Sequence, residues 1–294
     1  MRIATRSLLV SVITLLGLSP AAHATLSEEY IGIRSSAMGG THRAIGTSND
    51  SLVLNPAGMA LSRRYAVDLE SSHNNLSRLN WAHLSAVDSK SSPVAAGVAY
   101  TYVHGDRKGT RPEIHWLYFG LAYPIAKSLS FGFTSKHVRG EYHQDAEKQE
   151  FEVYTGDVGL QFQAGNLLSF GLSYNNLIAT DQTKLLPPTV GTGIAFKLKS
   201  LLLSTDVEIN ITDPDHLVYD YRVGGEYFVK RVVPIRVGYV QQDYIKQSGA
   251  PGRENLMTLG LGYLNQTGSM DLSFVRSIER ENNWTLTGGV KFFI

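Results

Sequence analysis

From Tyr65 to its last residue the chain alternates apolar and polar residues in run after run, and few folds can use that pattern. Between residues 167 and 175, Leu168, Phe170, Leu172 and Tyr174 share one face of an extended strand, and Ser169, Gly171, Ser173 and Asn175 share the other. Residues 201–211 set Leu203, Val207, Ile209 and Ile211 against Ser204, Asp206, Glu208 and Asn210. Residues 218–229 set Tyr219, Tyr221, Val223, Tyr227 and Val229 against Asp220, Arg222, Gly224 and Glu226. Period two means a strand with two different surroundings. A packed dry core would reject so many carboxylates. A lipid-facing outside and a polar lumen would accept them, and in lipid only a closed barrel pairs every backbone group of a strand.

The runs lie near 65–72, 78–88, 93–104, 112–123, 128–142, 149–163, 167–175, 189–198, 201–211, 218–229, 232–241, 254–264, 268–278 and 283–294, which predicts 14 antiparallel strands. Each approaches the roughly 9 to 11 residues of a tilted transmembrane strand. Connections alternate short and long, as in barrels with short periplasmic turns and longer outer loops. The links at 88–92, 124–127, 164–166, 199–200, 230–231 and 265–267 are short, and those at 104–111, 176–188 and 242–253 are longer and polar. The final run puts Trp284, Leu286, Val290, Phe292 and Ile294 on one face up to the chain terminus. That pattern is similar to the terminal signal read by barrel-assembly machinery, which makes that machinery an expected partner.

The first residues read as an export leader. Arg2 and Arg6 precede an apolar run over 8–18, then Pro20 and Ala22-His23-Ala24, which predicts a signal peptide over residues 1–24. The apolar run is about half the roughly 20 residues that a membrane-spanning helix needs. With no cysteine there is no disulfide framework and no thiolate site. The 27 Lys and Arg against 26 Asp and Glu give no field that would draw nucleic acid. The nine histidines fall into no metal-ligand spacing, so no metal or other cofactor is expected. His83 and Ser85 share a strand face, yet no third group completes a catalytic set, and the expectation is that the chain is not an enzyme.

Residues 25–64 carry no strand repeat. Met38-Gly39-Gly40, Asn49-Asp50 and Asn55-Pro56-Ala57-Gly58 are signals of turns and special backbone, and a segment so punctuated needs a surface to fold against. Placed before the first strand, it predicts a plug over 25–64 inside a barrel over 65–294. The stretch SAMGGTHRAIGTSNDSLVLNPAGMAL, residues 36–61, resembles the N-terminal hatch of the FadL superfamily of outer-membrane transporters. It is most similar to the short branch that includes the secretion protein PorV. The match runs through Ala37, Met38, Gly39, Gly40, Ala44, Asn49, Asp50, Asn55, Pro56, Ala57 and Gly58.

This resemblance implies a 14-stranded barrel with the hatch inside, both mature ends in the periplasm, and lipid and lipopolysaccharide of the outer membrane around it. It implies passage of a small hydrophobic compound, a fatty acid or similar, by way of the hatch and a lateral opening. The alternative is a PorV-like barrel that docks or shuttles envelope or secreted proteins, which the short outer loops favour. Met38, Gly39, Gly40, Asn55, Pro56, Ala57 and Gly58 are the candidate hatch residues, with Leu52, Val53, Leu54 and Met59 as apolar contacts for ligand or wall. Among inward charges, Arg34 and Arg43 of the hatch are expected to pair with a network of Asp206, Glu208, Asp220, Arg222, Glu226 and Arg236, with Asp157, Asp271 and Lys291 nearby.

Overall fold

The computed structural model describes residues 29–106, 110–144, 147–178, 186–213, 215, 217–245 and 251–294; the expected leader at 1–24 lies outside the described residues. Fourteen strands follow one another: β1 Tyr65–Asn74, β2 Leu79–Asp88, β3 Ala95–Gly105, β4 Glu113–Ala126, β5 Leu129–Gln144, β6 Glu147–Ala164 and β7 Leu168–Asn175. The second half runs β8 Thr189–Lys197, β9 Leu201–Asn210, β10 Val218–Val229, β11 Val233–Ile245, β12 Pro251–Leu264, β13 Gly268–Ser277 and β14 Trp284–Phe293. Each strand pairs antiparallel with its neighbours in sequence, and β14 returns to β1 to close the barrel. At this seam Val67 faces Phe292, and the Ile294 amide donates to the Tyr65 carbonyl at 2.9 Å. The chain is used to its last residue in closing the ring.

The connections at the end where β1 begins and β14 finishes are short. Lys230 and Arg231 both take positive φ (50° and 62°), the backbone that matches hairpin twist. Asn265 Oδ1 accepts from the Thr267 and Gly268 amides, both at 2.9 Å, which pins the next turn. At the far end several strands run past their predicted ends. β11 and β12 extend to Ile245 and Pro251, so the link expected over 242–253 shrinks, and β5 and β6 likewise outrun their predicted bounds. The charges that read as loop are cross-strand partners: Asp243 takes Arg253 at 2.6 Å, and Lys148 takes Glu141 at 2.6 Å.

The outer surface shows why these extensions stand clear of lipid. On β3 to β6, Val98 and Phe119 sit side by side within an exposed apolar band. The next outward row is Tyr100, Leu117, His137 and Tyr154, then Tyr102, His115, Arg139 and Glu152, then His104, Glu113, Glu141 and Glu150. Apolar, amphipathic and charged rows succeed one another within three steps, as at a membrane boundary. His137 stacks on Tyr154 with centroids 4.4 Å apart, and Tyr100 meets His115 at 2.6 Å, so this row is ordered by its own contacts.

Inward positions are buried in turn, because the segment before β1 fills the lumen. It forms helix α1 Ile33–Ala37, a 3-10 turn at Ser48–Asp50, helix α2 Ser51–Leu54 and a second 3-10 turn at Pro56–Leu61. Helices this short have no independent stability and depend on what they pack against.

Candidate functional site in the lumen

The wall makes room for the plug with a belt of glycines. A Cβ on Gly132 would strike the Pro56–Ala57 backbone, and on Gly171 the Arg43 carbonyl. On Gly224 it would strike the Met38 carbonyl, on Gly238 the Gly39 amide, and on Gly260 the Ala37 methyl. Gly159 leaves the space that Asn55 occupies, and Gly97 and Gly120 receive Leu52 and Met59. Close approach of two backbones is the ordinary use of glycine in a strand. Here it recurs around most of the barrel.

Met38-Gly39-Gly40 ends α1. The Gly40 amide returns to the Ser35 carbonyl at 2.8 Å, and Gly39 and Gly40 hold φ of 66° and 74°, which side chains with a Cβ resist. The turn is then bolted to the wall by the Gly39 amide on Thr258 Oγ1 at 3.0 Å. Asn55-Pro56-Ala57-Gly58 is more than a turn leading to β1. Asn55 Oδ1 caps the following 3-10 turn by accepting from Ala57, while its Nδ2 donates to the Arg43 carbonyl at 2.7 Å and to Leu160 of β6 at 3.1 Å. Pro56 takes the first position of that turn, where no amide is needed. Gly58 lies against the Gly46 carbonyl and Ser51.

The inward charges pair in two groups around the hatch arginines. Arg34 grips Glu226 with two bonds of 3.1 and 2.7 Å, and Arg236 joins Glu226 at 2.6 Å to Asp271 at 2.5 Å. The second group gathers on Arg43. Asp206 accepts from the backbone amides of His42 and Arg43 at 2.9 and 3.0 Å, Arg43 pairs with Glu208 and donates to Ser173 at 3.1 Å, and Arg222 links Glu208 at 3.3 Å to Asp220 at 3.0 Å. Burial and the neighbouring Arg222 pull the Arg43 guanidinium down to about 10. Burial holds the His42 imidazole near 4, so it is neutral in the plug. Burial alone would push the Asp50 carboxyl up, but the Lys291 ammonium bonded to it, with Arg34 adding to it, outweighs burial and sets it at about 2.

Two further groups join the plug to the wall. Lys136 on β5 meets Asp157 at 2.7 Å and Glu29 at 2.9 Å, and Lys291 on β14 meets Asp50 at 3.0 Å and Asp68 at 2.9 Å. Lys136, Glu29, Asp68 and Glu70 were absent from the expected set, although Asp68 and Glu70 alternate with Val67 and Leu69 in the same way as the residues it included. His83 and Ser85 do not face each other as a pair: His83 Nδ1 bonds Thr101 at 2.7 Å, and Ser85 takes the Asn49 amide at 3.0 Å.

Opposite the charged wall the lumen is apolar. Trp81 of β2, Val103 of β3, Ile114, Trp116 and Tyr118 of β4, Val138 of β5, and Phe151 and Val153 of β6 point inward and form one cluster with Leu52, Val53, Leu54 and Met59 of the plug. Trp116 and Tyr118 lie nearly parallel, 6.0 Å apart. These aromatics escaped the sequence reading because aromatic residues on a barrel strand suggest the lipid boundary. The available signal was the run Ile114 to Phe119, which is rich in apolar residues on both faces and so predicts an apolar lumen beside it.

No family model and no curated protein matches the sequence. Solved structures do match in fold. The barrel superposes on the CymD monoaromatic hydrocarbon channel with a TM-score of 0.68 at 13% identity, covering 90% of this chain and 97% of that one. For the Pseudomonas putida toluene transporter TodX the values are 0.66 and 12%, with 91% and 98% covered. For the Ralstonia pickettii toluene transporter TbuX they are 0.64 and 12%, with 92% and 99% covered. The chain shares their fold. That is the 14-stranded barrel the hatch motif implies.

Proposed function

We propose that this chain is an outer-membrane channel for a small hydrophobic compound, with its short-turn end in the periplasm and the compound moving along the apolar side of the lumen. The observation that carries this reading is the division of the lumen. The paired ions on β1, β9 to β11, β13 and β14 are committed to the plug, while on β2 to β6, apart from the group Lys136, Asp157 and Glu29, the residues Trp81, Trp116, Tyr118 and Phe151 form one apolar cluster with Leu52, Val53, Leu54 and Met59 of the plug. Apolar contacts reform around a guest at small cost, each Å² removed from water contributing roughly 25 cal/mol. Ion pairs in a buried site do not.

The fold neighbours named as toluene transporters and a monoaromatic hydrocarbon channel favour a ring-sized hydrocarbon over a long fatty acid. The route of exit is a separate matter. All strand neighbours are hydrogen-bonded in register, with a register shift on β4 between Pro124 and Ala126. Passage through the plug end therefore accords better with this closed state than a lateral opening, since each strand is hydrogen-bonded to both its neighbours.

The test is uptake of radiolabelled toluene and of a long-chain fatty acid by cells that express the barrel or lack it. We expect toluene uptake to rise with the barrel and to fall at least several-fold in Trp116→Glu, since a carboxylate in the apolar wall costs several kcal/mol to desolvate. Equal toluene uptake with and without the barrel would remove the transport reading.

A further inference from the structure

The inward charges that hold the plug form four islands among the described residues, and they balance unequally. Arg34 and Arg236 face Glu226 and Asp271, two against two. Arg43 and Arg222 face Asp206, Glu208 and Asp220, and Lys136 faces Asp157 and Glu29, so each of these islands carries one extra carboxylate. At the seam the imbalance is greatest. Lys291 pairs with Asp50 and Asp68, and beside them stands Glu70; the three carboxylates have one oxygen each within 4.8 Å of the others.

Glu70 shows that this group is not closed by its own hydrogen bonds. Its Oε2 receives two donors, the Tyr30 hydroxyl and the Ile33 amide at 3.0 Å. Its Oε1 is buried with no hydrogen-bond partner, in a side chain that is 3% exposed. A carboxylate oxygen held away from water without a donor is strongly unfavourable. Three carboxylate oxygens this close together are the ligand type that hard divalent cations select. When all three carboxylates are ionised they exceed the Lys291 ammonium by two charges, which a single divalent ion offsets.

We propose that Asp50, Asp68 and Glu70 form a site for a divalent cation of the calcium and magnesium class, with Glu70 Oε1 among its ligands. The site joins three parts of the molecule: Asp50 belongs to the plug, Asp68 and Glu70 to β1, and the adjoining Lys291 to β14. A cation here clamps the plug to the two strands that close the barrel. Oxygen donors and a small cage with Lys291 on one side favour binding through carboxylates and water, without nitrogen or sulfur.

The mature chain, folded in detergent micelles and stripped with EDTA, is titrated with Tb³⁺ under tyrosine excitation and then competed with Ca²⁺. The expected result is one saturable site per barrel that Ca²⁺ displaces, and an unfolding midpoint higher in Ca²⁺ than in EDTA. Glu70→Gln and Asp50→Asn should each weaken Tb³⁺ binding on the order of tenfold or more, since affinity of such sites follows the charge of the ligand set. Glu150→Gln, on the exposed outer row, should leave it unchanged. Absence of a saturable site in the wild type, or undiminished binding in both folded inner variants, overturns the proposal. Should those variants fail to fold, the wild type decides: identical midpoints in Ca²⁺ and EDTA overturn it, and a higher midpoint in Ca²⁺ supports it.

Discussion

At the scale of single residues, the plug is held by groups whose protonation matters. His42 is wholly buried, neither ring nitrogen has a hydrogen-bond partner, and burial brings its acid constant from 6.5 to about 4. Asp50 and Asp206 draw that value up, and Arg34 and Lys291 push it down, without reversing the effect of burial. The folded value lies below the unfolded one, so between them the unfolded chain binds a proton that the folded chain refuses. The contribution of neutral His42 is therefore complete above pH 6.5 and is lost as pH falls toward 4. Heat-unfolding midpoints of wild type and His42→Asn, measured across that window, should converge as the pH is lowered. Parallel curves would show that His42 does not carry the dependence.

At the scale of elements, the glycine belt makes adjacent positions in one strand unequal. Gly224 faces the Met38 carbonyl, while Gly225 faces outward with Leu203 Cδ2 at 3.4 Å from an added Cβ. Gly224→Ala should destabilise the closed plug by about 1–3 kcal/mol, the usual range for overpacking, whereas Gly225→Ala should be nearly neutral. Protease sensitivity of the plug, compared between the two variants, checks this; equal sensitivity would mean that the plug yields without strain. The strands themselves were legible because lipid outside and polar lumen inside impose opposite demands on neighbouring residues, as Ser169 to Asn175 illustrates. The extensions of β11 and β12 were not, because above the membrane both faces meet water and the alternation vanishes, as at Asp243 and Arg253. Arg34 and Arg43 could be foreseen as partners for carboxylates, since no charge stays buried alone. Which carboxylate each would take could not, because Arg34 and Glu226 are brought together only by the closure of the whole ring.

At the scale of the molecule, one plug contacts two unlike walls, ionic on one side and apolar on the other. Its bonds also bridge long stretches of chain: Arg34 reaches Glu226 over 192 residues, Gly39 reaches Thr258 over 219, and Lys291 reaches Asp50 over 241. Contacts this distant in sequence are slow to form, since the intervening chain must be ordered before they can be made. The prediction concerns timing. In a chain without cysteine, Ser35→Cys places a single thiol at a fully buried plug position. During refolding into micelles that thiol should become unreactive only as the closed, heat-modifiable barrel appears. Protection much earlier would mean that the plug folds on its own.

The seam gives this a wider meaning. The plug precedes every strand in the sequence, yet its partners include Lys291 on β14, the strand that closes the ring. Until β14 takes its place beside β1, the plug therefore lacks part of the surface that holds it in the closed barrel, and it can be finished only when the ring is.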